Sequence, residues 1–126
     1  MKPKKVLKIL KKGNKRFVKN LSLNRDLLKE AKSTSESQSP IAVVLSCLDS
    51  RSSAEVIFDQ GIGDVFSARV AGNIVNDDIL GSMEFACYLS TAKVIVVLGH
   101  TNCGAVHGAC DGAKLGHLTN LLEKIK

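Results

Sequence analysis

The sequence predicts an α/β fold, a mostly parallel β-sheet flanked by helices and preceded by an N-terminal helical arm. Three observations carry this. The runs Ile41-Ala42-Val43-Val44-Leu45 and Lys93-Val94-Ile95-Val96-Val97-Leu98 are short, β-branched and almost continuously apolar, as in strands buried on both faces of a parallel sheet. A third candidate strand is Val65–Val70, and helical patterns at about 53–60 and 79–92 separate the three. Strand, helix, strand, helix, strand is the order produced by right-handed crossovers onto a parallel sheet. With 126 residues, 44% of them apolar and 24% charged, the chain has material for one core. Two ordinary domains and wholesale disorder are both excluded.

The elements follow in order. Residues 1–32 form the arm, in which Val6, Leu7, Ile9 and Leu10, then Phe17, Val18 and Leu21, fall near helical spacing among lysines. Gly13-Asn14 is a candidate interruption. The arm carries twelve Lys/Arg against Asp26 and Glu30, whereas residues 33–126 carry six against ten. The formal charge of +6 is therefore a basic arm on a mildly acidic body. Lysines flanking an apolar stripe read first as the solvated face of a helix docked on protein, ahead of a membrane-surface helix or a nucleic-acid arm. Neither nucleic acid nor membrane is expected as a partner. Residues 33–40 are serine-rich and polar and read as a connecting loop to the α/β core at 41–126.

Within the core, the 79–92 segment places Leu80, Met83, Ala86, Cys87 and Ser90 on one side of a helix. Leu118, Leu121, Leu122 and Ile125 make a last helical stripe, which must fold back on the domain or dock on another chain. No apolar run approaches the ~20 residues that span a bilayer, and the N-terminus lacks a secretory apolar core, so a cytoplasmic location is expected. Four cysteines in that setting read as thiols or metal ligands.

Chemistry concentrates where strands end. Cys47 and Asp49 follow the first strand, and His100 and Cys103 follow the strand ending at Leu98. Parallel sheets bind ligands outside the carboxyl ends of their strands, so both groups should emerge on one edge. Two thiolates and an imidazole form a three-ligand zinc set with a fourth position left for water or Asp49, the pattern of a catalytic site. Cys87 reads as a small buried core residue, Cys110 and His107 as surface or packing residues, and His117 as a capping or surface residue able to shuttle protons. Gly99–Gly104 has the outer glycines of a phosphate loop, but Ala105-Val106 stands where Lys-Ser/Thr is required. A Cys47 nucleophile activated by His100 would leave Cys103 and Asp49 without roles. Taken alone, Asp49-Ser50-Arg51 reads as a helix N-terminus capped by Ser50, Ser52 or Ser53.

Cys47-Leu48-Asp49-Ser50-Arg51, Arg69-Val70-Ala71-Gly72-Asn73 and Gly99-His100-Thr101-Asn102-Cys103-Gly104-Ala105-Val106 together resemble the β-class carbonic anhydrases. Gly13–Phe17 and Gly81–Ala86 are similar to that family's N-terminal and central helices, and the likeness runs from about residue 6 to 126. The resemblance implies zinc held by Cys47, His100 and Cys103, and a catalytic Asp49–Arg51 pair whose Asp49 could close the fourth zinc position in a pH-dependent off state. It implies substrate-binding roles for Gln38, Phe66 and Gly104. Phe85 stands where several members have tyrosine, and Ala71 where some have valine. The implied activity is zinc-dependent reversible hydration of carbon dioxide to bicarbonate and a proton, a hydro-lyase reaction. The alternative is an inactive zinc-binding remnant or a bicarbonate-binding interaction protein of the same fold. A homodimer or higher homo-oligomer is implied, with the N-terminal helix laid over the partner. Family members continue past the equivalent of Lys126, so the sheet is expected to lack a C-terminal edge strand.

Overall fold

The computed structural model describes all 126 residues. Helix α1 (Pro3–Val18) opens with Pro3 in its first turn, where a missing N–H costs nothing. Its buried residues Val6, Leu10 and Gly13 recur at four and three positions and so lie on one face. Gly13-Asn14 does not interrupt the helix, contrary to the sequence expectation. A Cβ at Gly13 would stand 1.7 Å from the Phe58 carbonyl oxygen, so glycine is there to let two backbones meet. Helix α2 (Leu27–Ser33) is capped by Asp26, whose carboxylate accepts from the Lys29 N–H at 3.1 Å, and buries no residue.

Three parallel strands follow, β1 (Ala42–Ser46), β2 (Val65–Arg69) and β3 (Val94–Leu98), in the spatial order β2-β1-β3. The register pairs Ser46 with Arg69 on one side and with Leu98 on the other, so the carboxyl ends of all three strands are level. Helix α3 (Ala54–Ile57) links β1 to β2 and is shorter than the 53–60 pattern suggested. Helix α4 (Asp77–Glu84), capped by Asn76, continues into a π-helical turn at Phe85–Leu89 before β3.

The two sheet faces are covered by different elements. Val43 and Leu45 pack with Met83, Ala86 and Ala92 on one side, whereas Ala42 and Val65 pack with Val6 and Leu10 of α1 on the other. As the central strand, β1 is buried along its whole length. Strand β3 is not buried on both faces as its composition suggested: Val94 and Val96 pack against the α1 cluster, but Ile95 and Val97 are exposed because α4 does not reach over them. Cys87, expected in the core, is exposed. Cys87 sits inside the π-helical turn Phe85–Leu89, of which only Ala86 is buried.

Helix α5 (Gly104–Asp111) ends at Gly112, which adopts the left-handed conformation, and α6 (Gly116–Glu123) returns along it. Of the two fates the sequence left open for the last stripe, folding back is the one observed. Leu122 is buried, with its side chain against Gly108, and Ile125 lies over Gly72.

Candidate metal centre

The level strand ends bring the two halves of the site together. Cys47 is the first residue after β1, and His100 is the second after β3. Beyond His100 the chain must turn sharply to enter α5, and Asn102 does so in the left-handed region at φ 54°, a conformation asparagine tolerates. That turn sets Cys103 at the N-terminal boundary of α5, buried and facing Cys47.

The two sulfurs are 3.9 Å apart and both thiols are free. A disulfide would need about 2.05 Å. Two thiolates on a tetrahedral zinc with bonds of about 2.3 Å stand about 3.8 Å apart, close to the spacing found. Nδ1 of His100 lies 2.8 Å from the Thr101 carbonyl oxygen, to which it must donate, so Nε2 keeps its lone pair. Nε2 is buried without a protein partner. One ligand atom from each of Cys47, His100 and Cys103 lies within 4.8 Å of the others. An orphaned ring nitrogen beside two sulfurs is a donor set that a soft-tolerant, tetrahedral cation satisfies, and the three residues could hold a metal.

The electrostatics agree with the geometry. Burial pushes the Cys47 thiol up, but His100, the N–H groups of Asp49 and Gly72, and Cys103 together bring it down to about 7. The Gly72 N–H lies 3.4 Å from the Cys47 sulfur, a donor with no side-chain signature in the sequence. His100 is raised, mainly by the Cys47 thiol beside it and then by the Thr101 carbonyl. The Asp49 carboxyl is held well below the usual carboxylate range by Arg51, whose Nε and Nη2 reach its two oxygens at 3.0 and 2.7 Å. Arg51 Nη2 also donates to the Asn102 carbonyl at 3.1 Å, tying the pair to the His100–Cys103 loop. Asp49 is thus engaged by Arg51 and stands outside the three-residue metal group. Ser53, one of the three caps the sequence offers, occupies the position before α3, though its side chain makes no capping hydrogen bond.

Phe17 of α1, Arg51, Ile57, Gly99, His100 and Thr101 help line a cavity of about 360 Å³ beside the triad. Gly104 opens α5 directly after Cys103 with free space where a side chain would be. Gln38 is exposed in the segment before β1 and makes no hydrogen bond to the triad. Phe66 lies on β2 level with Val43, three residues short of the strand ends, and meets Phe85 edge to face at 6.1 Å. It lines a separate cavity of about 610 Å³. A single chain therefore gathers Cys47, Asp49, Arg51, His100, Cys103 and Gly104 at one place, and leaves Gln38 and Phe66 away from it.

A carbonic anhydrase family model matches residues 42–126. The chain is 45% identical over 124 residues to a carbonic anhydrase of Mycolicibacterium smegmatis, covering 94% of this chain and 60% of that protein. It is 43% identical to carbonic anhydrase 2 of Mycobacterium tuberculosis with the same coverage. The chain thus spans about 60% of the length of these curated relatives. Among solved structures it resembles the β-carbonic anhydrase CafA of Aspergillus fumigatus, with TM-score 0.70 and 30% identity over 87% of this chain and 53% of that one. It also resembles tetrameric β-carbonic anhydrases of Sordaria macrospora, with TM-score 0.64 and 31% identity over 75% of this chain and 54% of that one.

Proposed function

The chain belongs to the carbonic anhydrase family, in its β class, and from that premise we propose that it is a zinc hydro-lyase interconverting carbon dioxide with bicarbonate and a proton. The observation that carries this reading is the orphaned His100 Nε2 beside two sulfurs 3.9 Å apart. Zinc bound there would lower the pKa of a water ligand toward 7 and so supply hydroxide near neutral pH.

The chain's own residues do the rest. Cys47 and Cys103 supply two negative charges, His100 a neutral third donor fixed in its tautomer by Thr101. Two thiolates offset the charge of a divalent ion, so deprotonation beside them needs help from an acceptor. Asp49 is that acceptor: Arg51 keeps it ionised, and although Oδ1 already accepts from both the Arg51 N–H and Nε, Oδ2 accepts only from Nη2 and retains a lone pair for a hydroxyl proton. Arg51 also holds the carboxylate away from the fourth metal position, and its release is the route to a closed, inactive form. Phe17 and Ile57 give the adjacent cavity apolar walls suited to carbon dioxide, while Arg51 offers charge to the anionic product. Gly104 leaves room for substrate at the mouth of α5. We assign Gln38 and Phe66 their substrate contacts across a homodimer or higher homo-oligomer, where a second copy would bring them to the triad. We also propose a cytoplasmic setting, in which its four cysteines would serve as thiols or metal ligands.

The test is zinc content by elemental analysis with hydration followed by stopped flow. Cys47→Ser should lose bound zinc and activity together. Hydration retained in zinc-free protein would overturn the reading, and one bound zinc per chain without turnover in any oligomeric state would favour a bicarbonate-binding protein instead.

A further inference from the structure

Between β2 and α4 runs a stretch that supplies no metal ligand and yet touches both halves of the metal site. Arg69, the last residue of β2, donates from Nε to the Cys47 carbonyl at 2.9 Å and from Nη2 to the Asp49 carbonyl. It forms no ion pair with any carboxylate. A planar guanidinium fork is here committed to two main-chain oxygens of one turn, which fixes the orientation of that turn. Three residues later Gly72, at φ 68°, aims its N–H at the Cys47 sulfur. Asn73, itself in the left-handed region at φ 55°, donates from its side-chain amide to the Leu98 carbonyl at 2.6 Å. Leu98 is where the chain leaves β3 for His100.

We infer that Arg69 and Asn73 are positioning residues that set the separation between the Cys47 and His100 halves of the metal site, Arg69 by holding the 47–49 turn and Asn73 by holding the end of β3. This rests on the metal centre proposed above. The β1–β3 ladder stops at Ser46 and Leu98, so beyond it these cross-links replace main-chain pairing as the restraint on the two loops. Gly72 fits the same arrangement. Its left-handed backbone lets the segment turn from one loop to the other while keeping the N–H on the sulfur, and a Cβ there would meet Ile125 Cδ1 at 2.5 Å.

The experiment measures metal binding apart from turnover. Zinc affinity of the metal-free protein is determined by competition with a chromophoric chelator, and the cobalt-loaded protein gives a visible spectrum that reports coordination geometry. Arg69→Lys keeps the charge but loses the fork, and Asn73→Ala loses the amide. Both should still bind one metal per chain, with affinity reduced about 10–100-fold, the range for partners that orient metal ligands. Both should also alter the cobalt d–d bands, which a residue serving only fold stability would leave unchanged in molecules that remain folded. Asn73→Gln, which keeps the donor on a longer arm, should fall between Asn73→Ala and the wild type. Wild-type affinity and spectrum in both Arg69→Lys and Asn73→Ala would overturn the inference and leave the proposed function standing. Failure of the unaltered chain to bind zinc or cobalt at Cys47, His100 and Cys103 would overturn both.

Discussion

Replacing Gly13 by alanine sets two physical rules against each other. Helix propensity alone predicts that Gly13→Ala in the interior of α1 stabilises the protein by about 1 kcal/mol. The structure predicts the reverse. The added Cβ would stand 1.7 Å from the Phe58 carbonyl oxygen, a backbone atom that cannot rotate away. Carbon–oxygen contacts are ordinarily no shorter than about 3.3 Å, so α1 must lift by roughly 1.6 Å. That movement loosens Val6 and Leu10, each worth about 1.5–3 kcal/mol when fully buried, and stretches the 3.0 Å hydrogen bond from Asn14 to the Ile57 carbonyl. Losing half of the burial and one hydrogen bond of about 1 kcal/mol gives roughly 3 kcal/mol, against the gain of about 1. A net destabilisation of about 2 kcal/mol is expected, read from the urea midpoint of chelator-treated protein so that metal binding does not contribute. Gly81→Ala is the matched control, because a Cβ there meets nothing within 4 Å on the exposed side of α4. It should stabilise by up to about 1 kcal/mol. Equal or greater stability of Gly13→Ala than wild type would refute the close-approach argument and return α1 to a loosely docked arm.

Asp59, only 5% exposed, accepts from Arg16 Nε at 2.5 Å and from the Leu23 N–H at 3.1 Å, and Arg16 holds its carboxyl below the usual range. Because its folded value is depressed, its contribution is fully present above about pH 4 and is lost as pH falls through the lowered value. Asp59→Asn should therefore cost about 2 kcal/mol at pH 7, less than a fully buried pair because Arg16 is 30% exposed, and should flatten the acid limb of a stability–pH curve. An acid limb as steep as wild type would count against it. Thiol labelling offers a separate check: with metal bound, exposed Cys87 and Cys110 should react and Cys47 and Cys103 should not, and chelation should release the second pair. In the metal-free chain the labelling rate of Cys47 should rise tenfold per pH unit up to about 7 and then level, whereas a plateau reached only near pH 9 would show that His100 and Gly72 do not act on it.

The three strands and the gathering of Cys47, His100 and Cys103 at one place are legible because they rest on local composition and on one topological rule. Contiguous β-branched runs locate β1 and β3, and parallel ends locate Cys47, His100 and Cys103 together. What escaped depends on partners distant in sequence. Gly13 reads as a helix breaker until Phe58 is known to press against it. Ile95 and Val97 look like core until the reach of α4 is known, and Cys87 looks like core although Ala86 is the one residue of its turn that is buried. Arg69 and Asn73 act through main-chain carbonyls, and carbonyls have no side-chain signature in a sequence. The same is true of the Gly72 N–H on the Cys47 sulfur.

The pairing of Ser46 with Leu98 has a consequence for assembly of the site. Parallel strands advance about 3.3 Å per residue and reverse their side chains at each step. A β1–β3 ladder slipped by one residue would carry Cys47 that distance along the sheet and turn its sulfur to the opposite face, away from His100. No shift of the loops could restore a coordination sphere whose bonds tolerate a few tenths of an ångström. At the proposed metal centre, capture of an ion would therefore act as a proofreading step on strand registration: a correctly zipped chain could take up a metal, and a misaligned one, equally hydrophobic inside, could not.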